Sequence, residues 1–321
     1  TSEKKTLHSA ISFSGISSST LNIALAKGSD TLVDGASHLA KRLGVSDLVI
    51  GLTVIAIGTS APEFAVSAVA SMNSNDSISL GNVVGSNIFN LGFILSICAI
   101  SCTITVSKEL FYRDGIVLCA SASLLIFFCT THHTISRTEG FIMMLALISY
   151  ICLLVFSEQR QAKTNSTNTC SEMQSSVLSC VNKIILGLFL LLCSSKALVE
   201  LASLAALRLG ISEWIVGITI VAAGTSLPEL MTAITSIAKG KQDIGIGNLI
   251  GSDIFNLLGV LGLAACIKPI QISPESYNAA TILLFSIVVL LGMMRTQWKL
   301  SKREGFILFL ISCTRWGLSF L

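Results

Sequence analysis

Charge is scarce in this sequence. Of 321 residues only 12% are Asp, Glu, Lys or Arg, against roughly a quarter in soluble domains. Histidine is equally rare, with four residues at His8, His38, His132 and His133. They form no His-Glu-x-x-His motif, and no nucleophile–base pair is visible, so an enzyme is not expected. The ten cysteines are scattered along the chain. Most sit in apolar runs such as "SICAISCTI" and read as small buried thiols. The net charge is only +3, so no nucleic-acid partner is expected. The first residues lack an apolar core followed by a small-residue cleavage site, so no signal peptide is expected; a chain beginning at Thr1 is expected to have been trimmed or processed there. Nothing calls for a cofactor. Proline is rare as well, with four in the chain, and where two of them fall becomes important below.

What is present is apolar. Hydrophobic residues make up 52% and mean hydropathy is +0.79. The expectation is an all-α integral membrane protein in a lipid bilayer, with little room for a soluble domain. Apolar spans fall near 10–33, 45–72, 78–104, 111–131 and 139–157, then near 180–207, 212–238, 243–267, 277–294 and 303–321. Each is long enough to cross as a helix. The first is the weakest, being rich in serine with Lys27 and Asp30 inside it. The polar stretch 158–176 reads as a flexible cytoplasmic linker.

The chain is a repeat. "GTSAPEF" at 58–64 returns as "GTSLPEL" at 224–230, and "GNVVGSNIFN" at 81–90 returns as "GNLIGSDIFN" at 247–256. The offset is 166 throughout, and it also relates Asp34 to Glu200. The reading is therefore a first five-helix repeat over 1–157 and a second over 177–321. Five is odd, so the second copy enters the membrane inverted, giving ten transmembrane helices in two inverted repeats. Loops after odd-numbered spans carry thirteen Lys and Arg, the other side six. The richer side is then cytoplasmic and both termini are external. Inverted repeats of this kind are common in secondary transporters.

The two motifs place Pro62 with Glu63, and Pro228 with Glu229, at membrane depth. Proline lacks an N–H and clashes with the preceding turn, so it breaks the helix. Broken backbone at that depth must be buried in protein or line a cavity. An ionised glutamate there needs compensation. The break exposes the carbonyls of Ala56 and Thr59 and the hydroxyls of Thr59 and Ser60. The second copy supplies Ala222, Thr225 and Ser226. In the other motif Ser86 and Asn90 lie four apart on one helix face, as do Ser252 and Asn256. The glycines Gly81, Gly85, Gly247 and Gly251 allow close helix approach. Hard cations such as Ca²⁺ take six to eight oxygens. Two glutamates neutralise one Ca²⁺, and Na⁺ ions could use the same oxygens.

These residues resemble the two α-repeats of the cation/Ca²⁺ exchanger superfamily, over about 34–105 and 200–270. The resemblance implies ten helices, alternating access between Na⁺ and Ca²⁺, and first and sixth helices that slide as gates. It assigns Glu63 and Glu229 as the ion-binding carboxylates, with Ala56, Thr59, Ser60, Ser86 and Asn90 as first-repeat ligands. Ala222, Thr225, Ser226, Ser252 and Asn256 are their second-repeat counterparts. It also carries an electrogenic exchange of three Na⁺ for one Ca²⁺. "GTS-x-PE" favours the Na⁺/Ca²⁺ branch, and Asn256 argues against a K⁺ requirement. The absence of a large regulatory loop between the halves looks prokaryotic. The expected location is the cell (inner) membrane, and the expected state a monomer. A Ca²⁺/H⁺ antiporter using the same two glutamates is the alternative. Asp253 departs from the pattern, since its partner at the offset is Asn87. Two roles stay open for it: a protonated, hydrogen-bonded structural group, or a source of charge or a proton for the site. Lys27 and Lys196 either pair with Asp30, Asp34 or Glu200, or snorkel to the interface.

Overall fold

The computed structural model describes residues 18–164, 176–212, 216, 220 and 222–318. Helix α1 (Ser18–Leu43) starts the described chain. It runs ten residues past the expected end at 33, because loss of apolarity does not stop a helix. Lys41 and Arg42 in its last turn and Gly44 at φ +67° just beyond it do. Residues 10–17 of the expected first span lie outside the described residues.

Helix α2 (Asp47–Thr59) is capped by Ser46, whose hydroxyl accepts the Val49 N–H at 3.3 Å. It then bends by 47° into α3 (Ala61–Met72). Next come α4 (Asp76–Ser101), strand β1 (Ile104–Thr105), α5 (Leu110–Thr131), β2 (Thr134–Ile135) and α6 (Arg137–Thr164). The second half holds α7 (Val177–Arg208), α8 (Ala222–Thr225), α9 (Leu227–Ala238) and α10 (Gln242–Ile267). It ends with β3 (Ile270–Gln271), α11 (Pro274–Arg295), β4 (Lys299–Leu300) and α12 (Lys302–Leu318). Part of the span expected at 212–238 lies outside the described residues, as do 165–175 of the expected linker. Residues 158–164 of that linker are still helix.

Local chemistry sets the ends of α6 and α12 in the same way. Ser136 and Glu139 form a reciprocal capping box, Glu139 accepting the Ser136 N–H at 2.7 Å and donating its own N–H to Ser136 Oγ at 3.3 Å. Ser301 and Glu304 repeat it at 2.8 and 3.3 Å.

Six described helices are long and apolar enough to cross a membrane, or seven if the bent pair α2–α3 counts as one. α4 and α10 are mostly buried at the centre. α6, α7 and α11 turn large apolar side chains outward, among them Phe141, Phe156, Phe189 and Phe285. A Cβ on Gly247 would stand 2.6 Å from the Leu48 carbonyl oxygen, so only glycine lets α10 lie this close to α2. Gly251 is as tight against Leu52. Gly81 and Gly85 meet nothing among the described residues. The positions matching Leu48 and Leu52 at the offset, 214 and 218, lie outside them.

Two small antiparallel ribbons close the ends. β1 pairs with β4 (Ile104 opposite Leu300) and β2 with β3 (Thr134 opposite Gln271). Because α5 separates β1 from β2, the ribbons sit at its opposite ends. Other polar contacts group the connections the same way. On one side Ser46 N–H reaches Glu158 at 2.7 Å, Lys241 reaches Asp47 at 3.2 Å, and Lys239 reaches Asp30 and Asp34 at 2.6 Å each. On the other, Lys268 reaches Ser74 and the Gln271 N–H reaches Asp76 at 3.0 Å. Thus Lys239 takes Asp30 and Asp34, while Lys27 and Lys196 are exposed.

Candidate functional site

The two breaks are built alike. Ser60 (φ −79°, ψ 7°) and Ser226 (φ −88°, ψ 10°) each stand as N-cap of the helix that follows, with proline in its first turn. An N-cap serine normally accepts an N–H from the second or third helical residue. Here the second residue is Pro62 or Pro228, which has none. Neither serine makes a cap bond, and both hydroxyls are buried without a partner.

Glu63 and Glu229 follow directly, each 1% exposed. All four carboxylate oxygens lack a hydrogen-bond partner. Glu63 lies within electrostatic reach of Glu229 and of the hydroxyls of Thr225 and Ser226. Glu229 in turn faces Thr59 and Ser60. Each acid therefore looks at the break of the opposite repeat. The contrast with Asp114, a third fully buried carboxylate, is sharp. Asp114 takes the Arg113 guanidinium at 2.8 and 3.1 Å and the Tyr150 hydroxyl at 2.9 Å. That charge is satisfied within the protein, and those of Glu63 and Glu229 are not.

The remaining candidates surround the pair. Thr59 Oγ1 donates to Asn248 Oδ1 at 3.0 Å and lies 3.4 Å from Ser252 Oγ. The Ala56 carbonyl accepts the Ser60 N–H at 3.1 Å and lies 3.4 Å from the Thr59 hydroxyl. Ala222 opens α8, and its side chain lies outside the described residues. Ser86 Oγ accepts from Asn256 Nδ2 at 3.3 Å. Asn90 and Asn256 are each 1% exposed, and the Oδ1 of each has no partner. Asn90 starts a π-helical turn (Asn90–Ile94), and Asn256 stands in another (Phe255–Val260). Such widened turns re-aim side chains and recur at functional sites. The result is a buried set of oxygens with unpaired acceptors at Glu63, Glu229, Asn90 and Asn256, an arrangement that suits a desolvated cation.

Sequence reasoning missed Asn82 and Asn248. Asn82 Nδ2 donates to the Glu63 carbonyl at 3.1 Å and to Ser67 Oγ at 2.9 Å, fixing the turn that carries Glu63. The signal was present, since both amides recur at the offset of 166 inside the motif. Asn87 was likewise overlooked as a working residue. Asp253 is fully buried; its Oδ1 accepts from Asn90 Nδ2 at 2.9 Å, while its Oδ2 has no hydrogen-bond partner.

At the membrane edge, burial works to lower the Lys239 ammonium pKa. The hydrogen bonds and charges of Asp30 and Asp34 outweigh it and raise the group above the ordinary lysine range.

The profile of the family described as "Sodium/calcium exchanger protein" matches residues 19–156 and 183–312. The chain belongs to that family. Sodium/calcium exchanger MaX1 of Methanosarcina acetivorans is 31% identical over 325 residues, covering 90% of this chain and 93% of that protein. Inner membrane protein YrbG of Escherichia coli is 34% identical over 283 residues, covering 86% of each. A solved structure of the sodium-calcium exchanger NCX_Mj, soaked with 2.5 mM Na⁺ and 1 mM Sr²⁺, matches with a TM-score of 0.80 at 29% identity. That match covers 93% of this chain and 95% of that one. The chain is thus a helical, multi-pass integral membrane protein of a family of cation/Ca²⁺ antiporters.

Proposed function

We propose that this chain exchanges Na⁺ for Ca²⁺ by alternating access at one site shared between its two repeats. The observation that carries the reading is the pair Glu63 and Glu229: buried, unpartnered, and each facing the broken helix of the other repeat. Ca²⁺ would draw on these carboxylates and on the oxygens of Ala56, Thr59, Ser60, Ser86 and Asn90 with their second-repeat counterparts. Na⁺ ions would take the same oxygens in turn. The exchange ratio is three Na⁺ to one Ca²⁺, without K⁺.

Ten spans in two inverted repeats, 1–157 and 177–321, complete the proposal. The grouping of loop contacts supports it. Connections after odd-numbered spans touch one another (Ser46–Glu158, Lys241–Asp47, β1–β4), and those after even-numbered spans do likewise (Lys268–Ser74, β2–β3). That pattern is what a chain crossing the same slab at every span would give. The offset of 166 carries β1 onto β3, so one ribbon maps to the other at the opposite face. By its basic loops the first face is cytoplasmic, with both termini outside. The proposed location is the cell (inner) membrane, and the proposed state a monomer.

The test is a flux assay on the full chain in proteoliposomes, with the driving ion changed. Ca²⁺ uptake is expected on an outward Na⁺ gradient in choline medium free of K⁺. Uptake driven by a pH gradient without Na⁺ would instead make it a Ca²⁺/H⁺ antiporter. A strict need for K⁺ would refute the K⁺-independent reading.

A further inference from the structure

We propose that Asp253 is a positioning residue that aims the amide oxygens of both Asn90 and Asn256 into the ion site. The inference rests on the reading of those two amides as ion ligands.

An asparagine side chain is nearly symmetric in shape, and only its hydrogen bonds decide which end faces where. A ligand to a cation must present oxygen. Asn90 Nδ2 donates to Asp253 Oδ1 at 2.9 Å. The carboxyl oxygen that takes this N–H is an acceptor, so it holds the nitrogen end of Asn90 and leaves the Asn90 Oδ1 turned away from it. That Oδ1 is buried with no partner. The second amide is set through one relay. Asn87 Nδ2 donates to the backbone carbonyl of Asp253 at 3.0 Å. A carbonyl too can only accept, so Asn87 must present Oδ1 on its other side. Asn256 Nδ2 donates to that Oδ1 at 3.1 Å, leaving Asn256 Oδ1 buried and unpartnered. Asp253 therefore orients one amide through its carboxylate and the other through its main chain.

The arrangement is reciprocal. Asn87 and Asp253 correspond at the offset of 166, as do Asn90 and Asn256. Each amide binds the side chain of the opposite repeat, so the two central helices α4 and α10 set each other's ligands. The site needs an acceptor at 253, which a carboxylate supplies and an amide oxygen could also supply. With asparagine there, the new amide nitrogen could donate to the Asn87 carbonyl, mirroring the bond that Asn87 makes now.

The full chain in proteoliposomes tests this, with Asp253→Asn, Asp253→Leu and Glu63→Gln compared for the KM and maximal rate of Na⁺-driven Ca²⁺ flux. Leucine keeps the shape and removes the acceptor, so its KM is expected to rise by about tenfold or more, with the maximal rate less affected. Asp253→Asn is expected to stay within about threefold of wild type, as an amide oxygen replaces the carboxyl oxygen as acceptor. An unchanged KM in Asp253→Leu would overturn the inference. So would a loss in Asp253→Asn as large as in Asp253→Leu, because Asp253 would then act through its charge on the ion. If Asp253→Leu is not recovered folded, Asp253→Asn decides alone, and a KM rise of about tenfold or more in it would overturn the inference. Glu63→Gln separates the two levels. Wild-type flux in that variant defeats the shared-site reading itself, whereas its loss beside an unaffected Asp253→Leu defeats only the positioning role.

Discussion

Replacing Glu63 or Glu229 by glutamine is expected to reduce Na⁺-driven Ca²⁺ flux to background. The substitution keeps shape and burial and removes one of two charges. Both carboxylates are 1% exposed, and no arginine or lysine neutralises either of them among the described residues. The compensating charge comes from a bound cation, or from protons when none is bound. Removing one member of a buried charge pair costs about 3–5 kcal/mol, or more than about 100-fold in affinity. Ca²⁺ should then lose its ability to protect the fold. The wild-type melting temperature is expected to rise with Ca²⁺, since saturating a site at 100 times its Kd stabilises by about 2.7 kcal/mol. Neither glutamine variant should respond. Glu158, buried but bonded to the Ser46 N–H, serves as control. Its glutamine variant keeps an acceptor there and should transport normally. Flux retained in Glu63→Gln and Glu229→Gln would refute the site.

The second large effect is on voltage. With Ca²⁺ held by two carboxylates the loaded site is neutral, and with three Na⁺ it carries one positive charge. Each cycle then moves one net charge across the membrane. A potential of 100 mV is worth about 2.3 kcal/mol per charge, so it should shift the equilibrium Ca²⁺ ratio about 50-fold. An inside-negative potential should favour Na⁺ entry with Ca²⁺ exit. The measurement is the Ca²⁺ gradient reached in proteoliposomes at imposed potentials with Na⁺ equal on both sides. No shift with potential would contradict a three-to-one exchange. It would fit an electroneutral cycle, such as two protons for one Ca²⁺ on the same pair of acids.

The break in each repeat was legible because its cause is local. A proline and a carboxylate inside an apolar run violate two independent rules at once, and the violation recurs at one offset. The glutamates are buried as expected, and the α2–α3 bend is where "GTSAPE" puts it. The family followed from the same residues. Less of the ligand support was legible. Asn82, Asn87 and Asn248 act by hydrogen bonds to groups far away in the chain or to backbone carbonyls, which residue types alone do not specify. The π-helical turns at Asn90 and Asn256 left no composition cue, since a widened turn needs no special residue. Helix ends were misjudged where polarity was used as the stop. α1 continues to Leu43 and α6 to Thr164 because polar residues still form helix where no breaker intervenes.

The most direct test is to locate a heavy divalent cation in crystals of the protein soaked with Sr²⁺ or Ca²⁺, by anomalous scattering. One strong peak is expected between the two breaks, at about 2.3–2.6 Å from carboxylate oxygens of both Glu63 and Glu229. A peak held by one of these acids alone, or by neither, would contradict a site shared between the repeats.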